Sequence, residues 1–162
     1  MWLMLVAVGA AQSETLDRIL AVVAGHVIMQ SDVRAFVDLR LVDISPQTDD
    51  TVLTYLIERR LVLDEVDRYV VANPPSTLVE QRFQQVAGGF HSETGFRAAL
   101  AQVGFTDEDL RQVLRDDARR SAYIENRFGA VAGTTDRDSM VTEWIAGLVR
   151  RGQVIRTPSE RP

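Results

Sequence analysis

The sequence contains no cysteine and no lysine. All 18 of its basic residues are arginine, and only two residues are histidine. Without cysteine, the chain has no disulfides, no thiolate catalysis and no cysteine-ligated zinc. Without lysine, it has neither Schiff-base chemistry nor a phosphate-binding loop ending in Gly-Lys-Ser/Thr. We therefore expect that any binding activity does not require a nucleotide bound in such a loop.

Basic residues are also fewer than acidic ones, 18 against 23. The formal net charge is -5 and the sequence pI is about 5.0. This balance gives no general attraction to phosphate backbones, so we expect no nucleic-acid partner. With 162 residues, 46% of them apolar, the chain is long enough to bury the core of one ordinary domain.

No apolar run is long enough to cross a bilayer, which takes roughly 20 residues. The N-terminal run is unbroken over residues 1–11 and is followed by small and polar residues suited to signal-peptidase cleavage after Ala10 or Ala11. No basic residue precedes Arg18, which departs from the usual signal-peptide pattern. We interpret residues 1–11 as a signal peptide and predict export without stable membrane insertion.

Residues with catalytic chemistry are few. His26 stands beside a predicted hairpin turn and His91 precedes a predicted helix cap, positions where an exposed polar side chain is expected. No Gly-x-Ser-x-Gly motif marks a nucleophile. The acidic clusters "TDED" and "RDD" lie at a helix start and on a helix, where capping and solvation explain carboxylates. We predict no catalytic residue, no metal and no cofactor.

Two segments have strand patterns at opposite ends of the chain. Residues 16–23 and 26–30 are rich in branched apolar side chains and flank Ala24-Gly25, which predicts a hairpin. Residues 152–157, "GQVIRT", form the other strand-like run. Because a two-stranded ribbon is marginal in water, we expect the C-terminal strand to pair with the hairpin.

The segments between these strands have helical periodicity. Predicted N-caps are Ser31, Thr48 or Asp49, Ser92, Thr106 and Thr135, with a further helix over residues 76–87. The helix capped by Ser31 is predicted to run to about Val42, and the next helix carries an apolar stripe. Thr106 with Asp109 matches a capping box for a helix over 107–128. The predicted fold class is mainly α, with a small antiparallel β-ribbon joined by the C-terminal strand.

Four segments in this order carry a family resemblance: "LDRILAVVAGHVIMQSDV", "YLIERRLVLDEV", "FRAALAQVGFTDEDLRQVLRDDARRSAYIENR" and "WIAGLVRRGQVIRTP". Together they resemble the chaperone domain of SurA-type periplasmic folding factors. The resemblance covers about residues 15–157. It implies one module over 12–162, with an N-terminal part at about 15–128, a linker at 129–134 and a C-terminal helix and strand at 135–157.

The same family inserts parvulin-type prolyl isomerase domains between the two parts. Here only about seven residues separate them, which leaves no room for a domain of roughly 100 residues. The resemblance therefore implies a periplasmic, non-enzymatic and ATP-independent chaperone that binds unfolded envelope or outer-membrane proteins. Clients would bind through apolar surface. The candidate peptide-binding residues are Phe83, Phe90, Phe96, Phe105 and Tyr123.

Two other interpretations remain open. A non-catalytic adaptor would keep the fold but dock one fixed envelope partner, such as a separate isomerase subunit, and a homodimer belongs to the same alternative. A prolyl isomerase would follow from family assignment alone. A broad apolar groove would favour the chaperone, whereas a flat, compact patch of about 800 Å² would favour one fixed partner or a homodimer.

Overall fold

A computed structural model describes residues 17–69, 71–131 and 133–158 of the chain. The predicted signal peptide at residues 1–11 and the first predicted strand residue, Leu16, lie outside the described residues. The described part contains three strands and six helices. In chain order they are β1 (Ile19–Val23), β2 (His26–Met29), α1 (Gln30–Asp38), α2 (Asp49–Arg68), α3 (Ser76–Gly88), α4 (Glu93–Gln102), α5 (Asp107–Phe128), α6 (Thr134–Arg151) and β3 (Val154–Arg156).

The three strands form one antiparallel sheet in the order β2-β1-β3. Ala24 and Gly25 join β1 to β2 with φ of 48° and 86°, and two successive positive φ angles are those of a tight I′ hairpin turn. Strand β3 pairs with β1, so that Ile155 faces Val22. The predicted fold class and the predicted pairing of the C-terminal strand are both confirmed.

The described side chains form two hydrophobic cores. The first core lies between the inner sheet face and the helices α1, α2 and α6, with one residue from α5. Its buried members include Val23, Val33, Phe36, Ile57, Val62, Val66, Tyr123 and Leu148. The second core lies between α3, α4 and the first half of α5. It comprises Leu39, Val79, Phe83, Phe96, Leu100, Leu110 and Leu114.

Most predicted helix ends agree with the structure. Thr48, Ser92 and Thr106 each accept a hydrogen bond from the backbone N–H three residues ahead, as N-caps do. Asp109 accepts in return from the N–H of Thr106 at 2.8 Å, which completes the predicted capping box. Helix α5 spans the predicted residues 107–128.

Helix α1 differs from its prediction at both ends. It begins at Gln30 because Asp32 accepts a hydrogen bond from the N–H of Met29 at 2.7 Å, so the predicted cap Ser31 lies within the first turn. It ends at Asp38 and not near Val42. Arg40 adopts a left-handed φ of 54°, and the N–H of Leu41 bonds the carbonyl of Phe36 at 2.9 Å, which is a Schellman ending.

The C-terminal elements also shift slightly. Helix α6 begins at Thr134 after Gly133, whose φ is 89°, so Thr135 is not the N-cap. Strand β3 is shorter than the predicted run over residues 152–157. Gly152 ends α6 against α2, where an added Cβ would stand 2.7 Å from a methyl group of Leu61. This close approach holds the end of α6 on the first core.

Candidate functional site

Three of the five aromatic side chains predicted to bind peptides are buried. Phe83 and Phe96 lie in the second core, where their rings meet edge to face with centroids 5.5 Å apart. Tyr123 is buried in the first core between Tyr69 and Trp144. The packing of the helices places all three rings inside, so in this conformation they offer no binding surface.

The other two candidates, Phe90 and Phe105, are only partly buried. Both pack against the second core from the connections on either side of α4. The ring centroids of Phe90 and Phe96 are 5.5 Å apart, and the guanidinium carbon of Arg40 lies 5.5 Å from the centroid of Phe90. Both rings therefore help to close the second core while part of each stays accessible to solvent.

The sheet carries a cluster of exposed apolar side chains. Residues directly paired across neighbouring strands point to the same face of a sheet. Val22 pairs with Val27 on one side and with Ile155 on the other, so the three form a row across all three strands. Val27 is 47% exposed and Ile155 is 68% exposed. This row faces away from the first core.

A second pair of residues extends the row along the sheet. Ile19 pairs with Met29, and the strand register shifts between Ile19 and Ala21. Such an irregularity lets Leu20 and Ala21 both be buried while Ile19 returns to the solvent side, where it is 44% exposed. We call Ile19, Val22, Val27, Met29 and Ile155 the outer sheet face.

The sequence carries a signal for this surface. A strand buried on one face normally alternates apolar with polar residues. In β1, "ILAVV", no residue is polar, and in β2 and β3 the outward positions Val27 and Ile155 are apolar too. The missing alternation marks an apolar outer face that a partner could cover, and none of the predicted aromatic site residues lies on it.

Strand β3 is also an edge of the sheet. It lies beside β1 on one side, and no strand among the described residues follows on the other. An edge strand presents backbone N–H and C=O groups to which an extended chain can add. The most exposed large apolar side chain of the described residues, Ile155, stands at this edge.

Polar groups between α2 and α5 form a separate network. Arg59 donates to Asp117 at 2.8 Å and to the carbonyl of Val113 at 3.1 Å, while Arg120 donates to the hydroxyl of Tyr55 at 3.0 Å. Burial raises the pKa of Tyr55, against the lowering effect of Arg120, so the hydroxyl stays protonated at neutral pH. These contacts join two helices, and their geometry explains them as structural.

Two carboxyl groups have a raised pKa. Burial raises the pKa of Asp32, although the N–H of Met29 opposes it by stabilising the carboxylate, and burial also raises the pKa of Glu58. Asp32 caps α1 and Glu58 lies on α2. His26 lies 4.0 Å from Asp64, and His91 is exposed. In the ranges the structure describes, no three His, Asp or Glu residues are grouped as metal ligands would be.

Within the same described ranges, no helix is both long and apolar enough to span a bilayer. Comparison with known proteins adds no assignment: no protein-family model matches the chain, and no curated protein matches it.

Proposed function

We propose that the protein is an exported, ATP-independent module that holds unfolded envelope proteins by binding their apolar segments on the outer sheet face. The observation that carries the proposal is the row of Val27, Val22 and Ile155, which remains open to solvent on a sheet whose other face is buried. An extended client segment could lie along this row and add to the edge at β3.

The size of this surface indicates weak, reversible binding. Fully burying a Val or Ile side chain contributes about 1.5–3 kcal/mol, and the exposed side chains here are about half exposed. The side chains of the outer sheet face therefore supply only a few kcal/mol before association costs, which corresponds to a Kd of about 1 mM at best. A holding protein without ATP needs such an affinity, since the client must leave by simple dissociation.

A fixed-partner adaptor is the second candidate, because the outer sheet face is flat and compact. Its five side chains alone fall short of the roughly 800 Å² per partner that a stable interface buries. An adaptor would therefore need to cover the neighbouring edge and helices as well. The two candidates differ in stoichiometry and selectivity, which the same experiment can measure.

The test is an aggregation assay in which light scattering follows an unfolded outer-membrane β-barrel protein, without nucleotide. The full-length protein at a small molar excess should slow aggregation. The double variant Val27→Thr/Ile155→Thr keeps β-branched shape but adds hydroxyls, and we expect about tenfold weaker holding, since about 1.4 kcal/mol of apolar contact is lost.

The matched control is Leu78→Ala, which removes an exposed apolar side chain from α3, away from the sheet. It should hold the client as the wild type does, and all three proteins should melt within a few degrees of one another. If the wild type leaves aggregation unchanged but binds one envelope protein tightly and stoichiometrically, the adaptor replaces the chaperone. If it does neither, both proposals are wrong.

A further inference from the structure

A second surface, independent of the outer sheet face, lies where the end of α5 meets α6. Six residues of α6 share one face of that helix, at spacings of three and four, and line a groove with the last two residues of α5. The lining consists of Arg127, Phe128, Met140, Glu143, Trp144, Gly147, Arg150 and Arg151. Its volume is about 300 Å³.

The floor of the groove is aromatic. Phe128 is buried, Trp144 is half-buried, and their ring centroids are 5.5 Å apart. Met140 stands at the rim and is 47% exposed. A flexible thioether beside aromatic rings is a common composition for surfaces that receive another side chain. A volume of this size holds one large side chain and not a whole folded partner.

The rim is cationic. The guanidinium of Arg127 lies 5.3 Å from the centre of the Trp144 ring and 5.5 Å from that of Phe128. Arg150 and Arg151 both reach toward Gly147: a Cβ at that glycine would stand 3.7 Å from one guanidinium nitrogen and 3.1 Å from the other. The missing side chain of Gly147 therefore leaves space that the two cations share.

In the described part of the chain, these three arginines have no carboxylate partner. Within residues 17–69, 71–131 and 133–158, none of Arg127, Arg150 and Arg151 forms an ion pair within 4.0 Å, whereas ten other arginines do. The groove contains one carboxylate, Glu143, against three guanidinium groups. The groove is therefore locally cationic although the protein carries a net charge of -5.

The helix dipole explains only part of this arrangement. Basic residues in the last turn of a helix interact favourably with its C-terminal end, so Arg150 and Arg151 are expected there for stability. That interaction does not require both guanidinium groups to meet over Gly147, nor does it account for Arg127 at the end of the neighbouring helix. Two cations close together repel each other unless an anion lies between them.

We propose that this groove binds an acidic polypeptide segment in which a carboxylate stands next to an aromatic side chain. The carboxylate would accept hydrogen bonds from both Arg150 and Arg151. Hydrogen bonds between guanidinium and carboxylate groups are charge-assisted, and they are therefore strong and selective. The neighbouring ring would pack on Trp144 and Phe128, beside the guanidinium of Arg127. This site does not depend on the holding activity proposed above.

Trp144 makes the proposal directly measurable. The chain has two tryptophans, and the other is Trp2 in the predicted signal peptide. In the full chain carrying Trp2→Phe, fluorescence therefore reports on the groove alone. The probe is the capped peptide Gly-Glu-Phe-Glu-Gly, with Gly-Gln-Phe-Gln-Gly and Gly-Glu-Ala-Glu-Gly as matched peptides. Isothermal calorimetry supplies a second readout that does not depend on the fluorophore.

We expect saturable binding of the Glu-Phe peptide, at least tenfold tighter than that of either matched peptide and weaker in high salt. The variant Arg150→Gln/Arg151→Gln should bind about tenfold more weakly. The control Arg34→Gln/Arg82→Gln removes two arginines away from the groove and should bind as before. Met140→Glu, at the exposed rim, should weaken binding by placing a competing carboxylate there, whereas Met140→Leu should not.

Three results would overturn the proposal. The first is equal binding of the Glu and Gln peptides, which would remove the role of charge. The second is undiminished binding by the folded Arg150→Gln/Arg151→Gln variant, checked by its thermal melt. The third is no saturable response to the Glu-Phe peptide at millimolar concentration in either readout. Since the sheet variants leave this groove intact, failure of the holding assay would not affect the outcome here.

Discussion

The two hydrophobic cores are assembled from the sequence in opposite ways. The first core joins residues that are far apart in the chain. Leu20 and Ala21 come from β1, a further group comes from the middle of α2, and Leu148 comes from α6. The second core comes almost entirely from three consecutive helices over residues 76–114. Local contacts form at a lower cost in loop entropy, so the second core is the more locally encoded of the two.

Helix α5 is the element that serves both cores. Leu110 and Leu114 in its first half belong to the second core, and Tyr123 in its second half belongs to the first. With 22 residues it is about 33 Å long, enough to lie along both. Its ion pairs with α2, such as Arg59 with Asp117, hold it against the first core. Because α5 packs in both cores, loss of one core should destabilise the other, but less than it destabilises the helices of the lost core.

Deletion of residues 134–162 should have the largest effect on the first core. The deletion removes α6 and β3, hence Leu148 from the first core and the ladder beside β1. Losing one large core side chain already costs about 2–5 kcal/mol, a large share of a domain's stability. We expect an unfolded or aggregated protein by circular dichroism and size-exclusion chromatography. A monomer with an unchanged cooperative melt would show that the first core does not need its C-terminal part.

Before any such experiment, the sequence already predicted much of the first core. Its strands, the pairing of β3 with the hairpin and the apolar stripe of α2 follow from short-range pattern and from the need of a ribbon for a third strand. The end of α1 could not be predicted. It depends on a left-handed Arg40, and nothing in an arginine signals that conformation.

The candidate site was harder to predict than the fold. Helical spacing marks which residues share a face, but not which of two faces a neighbour covers. Phe83 and Phe96 could therefore be assigned to surface or core from the same pattern, and only the packing of α3 on α4 and α5 decides. The groove beside Trp144 depends on Gly147, whose role appears only when the positions of two arginine side chains are known.

A matched pair of core substitutions should distinguish the two cores with a smaller loss of stability. Leu56→Ala affects the first core and Leu110→Ala the second, and both side chains are buried. Each should lower the free energy of unfolding by about 2–5 kcal/mol, measured by urea denaturation. Hydrogen exchange then separates the cores: Leu110→Ala should lower amide protection in α3 and α4 more than in β1. Equal loss of protection everywhere would mean that the two cores open as one unit.

The smallest effect is expected from the helix caps. Thr48 caps α2 in the first core and Thr106 caps α5 at the second, so Thr48→Ala and Thr106→Ala form another matched pair. Each should cost about 0.5–2 kcal/mol in thermal or urea unfolding. An unchanged melting temperature in both variants would show that neither cap contributes measurably to the stability of the folded protein.

The two caps should differ in their response to pH. The hydroxyl of Thr106 donates to Asp109 and lowers the pKa of that carboxyl, whereas the partner of Thr48 is Thr51, which does not titrate in this range. A carboxyl whose pKa is lowered in the folded state contributes stability above its unfolded pKa and loses it as pH falls through the folded value. The cost of Thr106→Ala should therefore shrink below about pH 4, and that of Thr48→Ala should not.

The pairing of β3 with β1 also bears on how fast the chain can fold. The N–H of Thr157 bonds the carbonyl of Leu20 at 2.9 Å, so the two ends of the described chain lie side by side although well over a hundred residues separate them. If a short linker joined these ends and the chain were opened between α5 and α6, the order would become β3, β1, β2. The sheet would then be a meander of neighbouring strands, its contact order would fall, and its formation would no longer wait for the last residues of the chain.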